Sequence, residues 1–272
     1  MRCRPLWRQR RDVIKQCVAI FLAAVALGGA AAEAPTAPKR DRSLFAEGRQ
    51  VYQQNCVVCH GHRGDGKGDM GKEVQPQPRD FRTGVFKYRT TPAGKLPTDA
   101  DLSRTIRGGL SDTAMPMFNH LTERQIAAVI EYVKSYSSKW RKEENHAAPL
   151  EIPAEPQWIS DPKALSLAAA KGKALFQAAC APCHGEDGAG QGTVTELNDD
   201  WGNPVPPPDL RKPYIRIGPT ARDIHQILIT GVNGTPMPSF LETTTEEERW
   251  QIIAFILQLR KSAAAARRNA AP

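Results

Sequence analysis

The stretch Cys56-Val57-Val58-Cys59-His60 and its counterpart Cys180-Ala181-Pro182-Cys183-His184 decide the reading of this chain. Both are Cys-x-x-Cys-His, set 124 residues apart, and this is the spacing of covalent c-type haem attachment. Two thiols three residues apart on a helical turn can form thioethers with the two vinyl groups of one haem. The adjacent imidazole, His60 or His184, then reaches the iron from the proximal side. Each motif is followed by a glycine, Gly61 or Gly185, and each has another glycine, Gly48 or Gly172, eight residues before its first cysteine. A Cys-x-x-Cys pair also serves redox disulfides and zinc sites. A thioredoxin-like disulfide would follow a strand in a βαβ pattern, which surrounds neither motif, and a four-cysteine zinc site would leave both histidines unexplained.

Outward from the motifs, the sequence reads as one unit written twice. Gly48, Tyr52, Cys56, Cys59 and His60 precede Pro78, Asp80 and Arg82, then Gly109, Thr113, Met115, Pro116 and Phe118. In the same order stand Gly172, Phe176, Cys180, Cys183, His184, Pro207, Asp209, Arg211, Gly231, Thr235, Met237, Pro238 and Phe240. Each unit opens on a helical pattern, Leu44 to Cys56 or Leu165 to Cys180. Each closes on another, Thr122 to Trp140 or Thr245 to Arg260, with apolar residues at helical spacing and N-cap signals at Thr122 and Thr245. The long Pro- and Gly-rich stretches between argue against a compact domain unless a large apolar prosthetic group replaces missing core.

The distal iron ligand must come from elsewhere. Met115 and Met237 stand 55 and 53 residues beyond their motif histidines in matching Thr-x-Met-Pro-x-Phe contexts, which favours ligation over a simple core role. Met117 aligns with Ser239 and is the lesser candidate. His120 and His225 occupy non-equivalent positions and read as surface or supporting histidines. Iron with both axial sites filled by His and Met suits outer-sphere electron transfer and leaves no position for substrate.

Residues 1–32 read as a secretory signal: six basic residues, an apolar run from Cys17 to Leu27, then Ala30-Ala31-Ala32. The alternative, a retained anchor, is disfavoured because Cys17 to Ala32 is shorter than the ~20 residues that span a bilayer. Cleavage would remove Cys3 and Cys17, leaving four cysteines that the two motifs consume. The net charge of +8 would fall to +3, since residues 1–32 hold six basic side chains and one acidic. That balance, without a helix-turn-helix or zinc-finger pattern, excludes nucleic acid as partner. Arg260, Lys261, Arg267 and Arg268 read as part of a solvated tail, with docking to an acidic partner or peripheral membrane association as the alternative.

On these motifs and the helix order, the chain resembles class I c-type cytochromes and, as a tandem, the di-haem cytochrome c4 type. The resemblance implies an all-α fold of two cytochrome c domains, each wrapped around one covalently bound haem c. The first and last helices of each domain would cross at Gly48 and Tyr52 against Tyr132, and at Gly172 and Phe176 against Phe255. The expected organisation is a signal peptide at 1–32, domain one at 43–142, a Pro-rich linker at 143–163, domain two at 164–261 and a disordered tail at 262–272. Cys56, Cys59, Cys180 and Cys183 would attach the haems, and His60, Met115, His184 and Met237 would ligate iron. Arg82, Arg89, Arg211, Tyr214 and Arg216 are equally readable as propionate partners or as a solvated basic loop.

Three functional readings follow. The leading one is a periplasmic carrier that moves electrons singly between a quinol-oxidising complex and a terminal oxidase or reductase. Another is a dedicated cytochrome subunit of a larger dehydrogenase or reductase. A di-haem peroxidase is the third, and it requires an open distal site that the two methionines would fill.

Overall fold

The computed structural model describes residues 42–270, so the expected signal at 1–32, with Cys3 and Cys17, lies outside the described residues. Among the described residues eight α-helices form the frame: α1 Arg42–Asn55, α2 Val57–His60, α3 Asp99–Gly108, α4 Glu123–Lys134, α5 Pro162–Ala179, α6 Ala181–His184, α7 Ala221–Thr230 and α8 Glu246–Asn269. Short 3₁₀ turns occupy Phe81–Thr83, Ser138–Arg141, Glu143–Asn145 and Gln157–Ser160. Among the described residues there are two isolated bridges and no strand. The fold is all-α, two similar helical domains in tandem, and no described helix is long and apolar enough to cross a membrane.

The helix starts are written in the sequence. Thr98, Thr122, Thr220 and Thr245 each accept from the backbone three residues on, and the residue there, Asp101, Gln125, Asp223 or Glu248, reaches back in a complete capping box. Asp161 caps α5 through Lys163 N at 2.8 Å, with Pro162 at the first helical position. Burial then follows helical periodicity: Ile126, Val129, Ile130 and Val133 in α4, and Ile252, Ile253 and Ile256 in α8, face inward.

In each domain the opening helix lies on the closing one, α1 on α4 and α5 on α8. A Cβ at Gly48 would overlap the Ala128 carbonyl and come within 3.0 Å of Tyr132 Cβ; at Gly172 it would overlap the Gln251 carbonyl. The missing side chain therefore lets the backbones touch. Beside each crossing sits an aromatic pair, Tyr52–Tyr132 at 5.1 Å and Phe176–Phe255 at 5.2 Å between ring centroids. Both expected crossings are present.

The domains meet through equivalent positions. Ser111 N donates to the Arg216 carbonyl (3.2 Å), while Asn233 N, the counterpart of Ser111, donates to the carbonyl of Lys87, the counterpart of Arg216 (3.3 Å). Reciprocal contacts of this kind are the mark of an isologous pairing, here made within one chain. Arg104 of α3 donates to Gln226 Oε1 of α7 at 2.7 Å, and Gln226 Nε2 to the Arg89 carbonyl at 2.9 Å. The linker runs along this surface, held by Leu150 N to the Thr90 carbonyl (2.7 Å) and by Arg222 to the Ile152 carbonyl (2.9 Å).

Three expectations need correction. Residues 262–269 belong to α8 and not to a disordered tail, because Ala263–Ala266 are strong helix formers continuing an already nucleated helix. Arg260 is buried and donates to the Leu210 (3.3 Å) and Pro219 (3.0 Å) carbonyls. His225 lies in the core of domain two against Trp250, with ring centroids 4.6 Å apart, and His120 is the exposed one.

Candidate haem sites

The cysteine of each motif that opens the turn follows directly on the first helix, so the crossing fixes where the thiols stand. Cys56 N donates to the Tyr52 carbonyl and Cys180 N to the Phe176 carbonyl, both at 2.8 Å. The turn is closed identically in the two domains, His60 N to Cys56 O at 2.9 Å and His184 N to Cys180 O at 2.8 Å. It ends on Gly61 and Gly185, whose φ of 73° and 77° is the left-handed region where a side chain is strained. None of the four motif cysteines is in a disulfide. Burial pushes the Cys56 thiol up to about 12 and Cys180 to about 11, with the second cysteine of each pair adding to the effect.

His60 Nδ1 lies 3.2 Å from the Arg79 carbonyl. A carbonyl can only accept, so Nδ1 carries the hydrogen and Nε2 keeps the lone pair needed by a metal. Burial holds this imidazole down at about 4, opposed by the Arg79 carbonyl, so the ring is neutral at pH 7. Phe81 stacks on it, with centroids 4.4 Å apart and planes 19° from parallel. The His184 ring is likewise pushed down by burial, and the Pro208 carbonyl, at the position of Arg79, opposes the shift. His184 Nδ1 is nevertheless buried without a closed hydrogen bond.

The methionines sit on matching loops. Thr113 Oγ1 donates to Leu110 O (2.8 Å) and accepts from Met115 N (3.1 Å); Thr235 Oγ1 does the same with Val232 O (2.7 Å) and Met237 N (3.3 Å). Leu110 N and Val232 N each return a bond to the methionine carbonyl at 3.1 Å. Met115 packs on the core of domain one and Met237 on that of domain two, whereas Met117 is 63% exposed.

In domain one Cys56, Cys59, His60 and Met115 line a single cavity of about 390 Å³, walled by Phe86, Ile106 and other apolar side chains. Its donor set fits haem: two thiols on one turn, a neutral imidazole with a free Nε2, a thioether, and buried guanidinium Nε atoms on Arg79 and Arg216 that have no partner of their own. In domain two Cys180, Met237 and the α7 and α8 side chains share one cluster.

Residues 45–137 match the family model described as cytochrome c, and residues 167–256 match that of cytochrome c oxidase, cbb3-type, subunit III. A solved chain titled as part of the Kuenenia stuttgartiensis reducing HAO-like protein complex is similar with a TM-score of 0.73 and 32% identity, over 82% of this chain and 99% of that one. The chain belongs to the cytochrome c family. Haem binding and electron transfer are the family's chemistry. The cytochrome is also 29% identical over 146 residues to the cbb3-type cytochrome c oxidase subunit CcoP of Azospirillum brasilense, covering 54% of this chain. It is 25% identical over 225 residues to the cytochrome bc1 complex cytochrome c subunit of Corynebacterium efficiens, covering 83% of this chain. It spans 41% and 66% of those two relatives.

Of the suggested propionate partners, only Arg216 lines the cavity of domain one. Arg82 and Arg211 are tied to Asp80 and Asp209 at 2.7 and 2.9 Å, and Tyr214 donates to Asp112 at 3.2 Å. Arg89 is fully buried at the domain boundary on the Thr230 carbonyl, 2.8 Å away. Sequence reading missed Arg79, Lys87, Tyr88 and the imidazole-orienting carbonyl. The repeated Pro-x-Asp-x-Arg held the signal for that carbonyl, but the residue between Pro and Asp acts through its backbone, so Arg79 and Pro208 share no side-chain feature.

Proposed function

We propose that this cytochrome carries two covalently bound haems, one per domain, each with His/Met ligation: His60 with Met115 and His184 with Met237. It relays electrons one at a time between redox partners on the outer side of the cytoplasmic membrane. The observation that carries this reading is the convergence of Cys56, Cys59, His60 and Met115 on one cavity, repeated by the backbone of domain two. The haem iron supplies the redox couple. Residues of the chain do the rest: the two cysteines of each motif fix position, the Arg79 carbonyl sets the His60 tautomer, and the apolar wall excludes water and favours the less charged state. Donor and acceptor are a quinol-oxidising complex and a terminal oxidase or reductase.

A second reading, a dedicated subunit of a larger oxidoreductase, is favoured by one observation: the match to the Kuenenia chain covers 99% of a protein titled as part of a complex. Co-purification with a partner at fixed stoichiometry separates it from a free carrier.

The test is a pyridine haemochrome count with the near-infrared spectrum of the oxidised protein. We expect two haems per chain and a methionine-to-ferric-iron band, with Met115→His and Met237→His each removing about half of it. One haem per chain, or an undiminished band in either variant, overturns the assignment.

A further inference from the structure

The cavity that brings His60 and Met115 together also takes in Arg79 and Lys87 from domain one and Arg216 from domain two. None of the three forms an ion pair with a carboxylate among the described residues. Asp199 attracts both Arg79 and Lys87, but its oxygens are held by Asn203 and by Trp201 N at 2.9–3.3 Å. Arg79 is fixed over the Trp201 ring, 4.5 Å from its centroid, and the Nε atoms of Arg79 and Arg216 are buried without partners. Burial and the two neighbouring guanidiniums pull the Lys87 ammonium down to about 8. Three cations lining one mostly apolar cavity repel one another, and two of them, Arg79 and Arg216, leave a desolvated Nε–H unpaired. An anion that enters this space would cure both defects.

Arg216 is not there by chance of side-chain wandering. Its carbonyl accepts from Ser111 N at 3.2 Å, and on the same segment Lys212 and Tyr214 bind the Asp112 carboxylate at 2.7 and 3.2 Å. Asp112, with a left-handed φ of 55°, stands three residues before Met115. One segment of domain two thus braces the methionine loop of domain one and delivers a guanidinium to its cavity.

We propose that Arg79, Lys87 and Arg216 form a carboxylate clamp for the propionates of the domain-one haem, with Arg216 supplied by the second domain. The clamp rests on the haem reading above. It makes domain two part of the domain-one cofactor site, and its positive charge favours the reduced, less positive iron.

The experiment is a potentiometric titration of the full haem-loaded chain and its variants. Met237→His marks the domain-two haem by moving its potential alone. We expect Arg216→Gln to lower the potential of the other haem, by several-fold in its ferric-to-ferrous ratio. Arg216→Lys should keep most of the wild-type value, and Arg82→Gln, which removes a cation already paired with Asp80, should leave it in place. Should Arg216→Gln fail to accumulate, Lys87→Gln carries the same expectation. A wild-type chain with fewer than two haems, or without the methionine band, overturns the ligand reading beneath the clamp. Two intact haems with the domain-one potential unmoved in Arg216→Gln and Lys87→Gln, or a fall confined to the domain-two haem, overturns the clamp alone.

Discussion

Replacing Gly172 by alanine sets two known effects against each other. Alanine is the better helix former by about 1 kcal/mol in a helix interior, so propensity alone makes the variant more stable. The new Cβ, however, would overlap the Gln251 carbonyl oxygen and lie 2.9 Å from Ile252 N, both of them backbone atoms of α8 that cannot swing aside. Relief requires α5 and α8 to separate along the pairing that carries the Phe176–Phe255 contact. Overpacking of this kind costs about 1–3 kcal/mol, and the upper end applies when backbone must move. The net expectation is a loss of about 2 kcal/mol. Gly108 is the control: it ends α3, and a Cβ there meets nothing within 4 Å. Thermal melts of the haem-loaded protein, followed by far-ultraviolet circular dichroism, should show Gly172→Ala melting earlier and Gly108→Ala at or slightly above wild type. If Gly172→Ala is as stable as Gly108→Ala, the helix crossing does not depend on backbone contact.

Two further outcomes can be checked by the same melts. His225 is fully buried, both ring nitrogens lack partners, and burial, with a smaller push from Arg249, holds it at about 4 against 6.5 in the unfolded chain. The unfolded state therefore binds the extra proton first, and stability contributed by the neutral ring falls as pH drops from about 6.5 to about 4, by about 3 kcal/mol in all. His225→Leu should flatten that part of the stability–pH curve, and an unchanged slope would refute the assignment. Buried Asp101 accepts from Thr90 N and Thr98 N and from both threonine hydroxyls at 2.9–3.0 Å, so Asp101→Ala strands buried donors and should cost about 2–4 kcal/mol. Asp223→Ala, at the exposed equivalent box, should cost about 0.5–2 kcal/mol; equal losses would mean that burial is not what matters.

How far the sequence can be read depends on whether a residue acts through a periodic pattern or through a contact. The opening and closing helices, their caps at Thr122 and Thr245 and the glycine crossings were legible because each has a local or repeated signature. Helices α3 and α7 were not picked out, although Thr98-x-x-Asp101 and Thr220-x-x-Asp223 announce them, because the flanking Pro-rich chain obscures the short apolar stripe between. His225 was misplaced for another reason: nothing along the chain says that a lone histidine in α7 will lie under Trp250 of α8. Arg89 read as a cation on a loop, and only the apposition of the two domains turns it into a buried donor to Thr230.

That apposition carries its own constraint. When a duplicated unit pairs with itself through equivalent positions, each residue near the axis meets its own counterpart, and a charge there meets a like charge. At Arg104 the repeat has diverged: its counterpart is Gln226, whose carbonyl oxygen accepts from Arg104 while its amide donates to the Arg89 carbonyl. Two arginines could not have made that bridge, since neither has an acceptor. At Lys87 and Arg216 the repeat has kept two cations, in one cavity and without a protein carboxylate between them. Two equivalent positions thus took opposite courses. Where the chain could be satisfied by itself, one copy lost its charge; where both copies kept theirs, no protein carboxylate closes an ion pair with either, and an anion from outside the polypeptide, such as the propionates proposed above, would balance them.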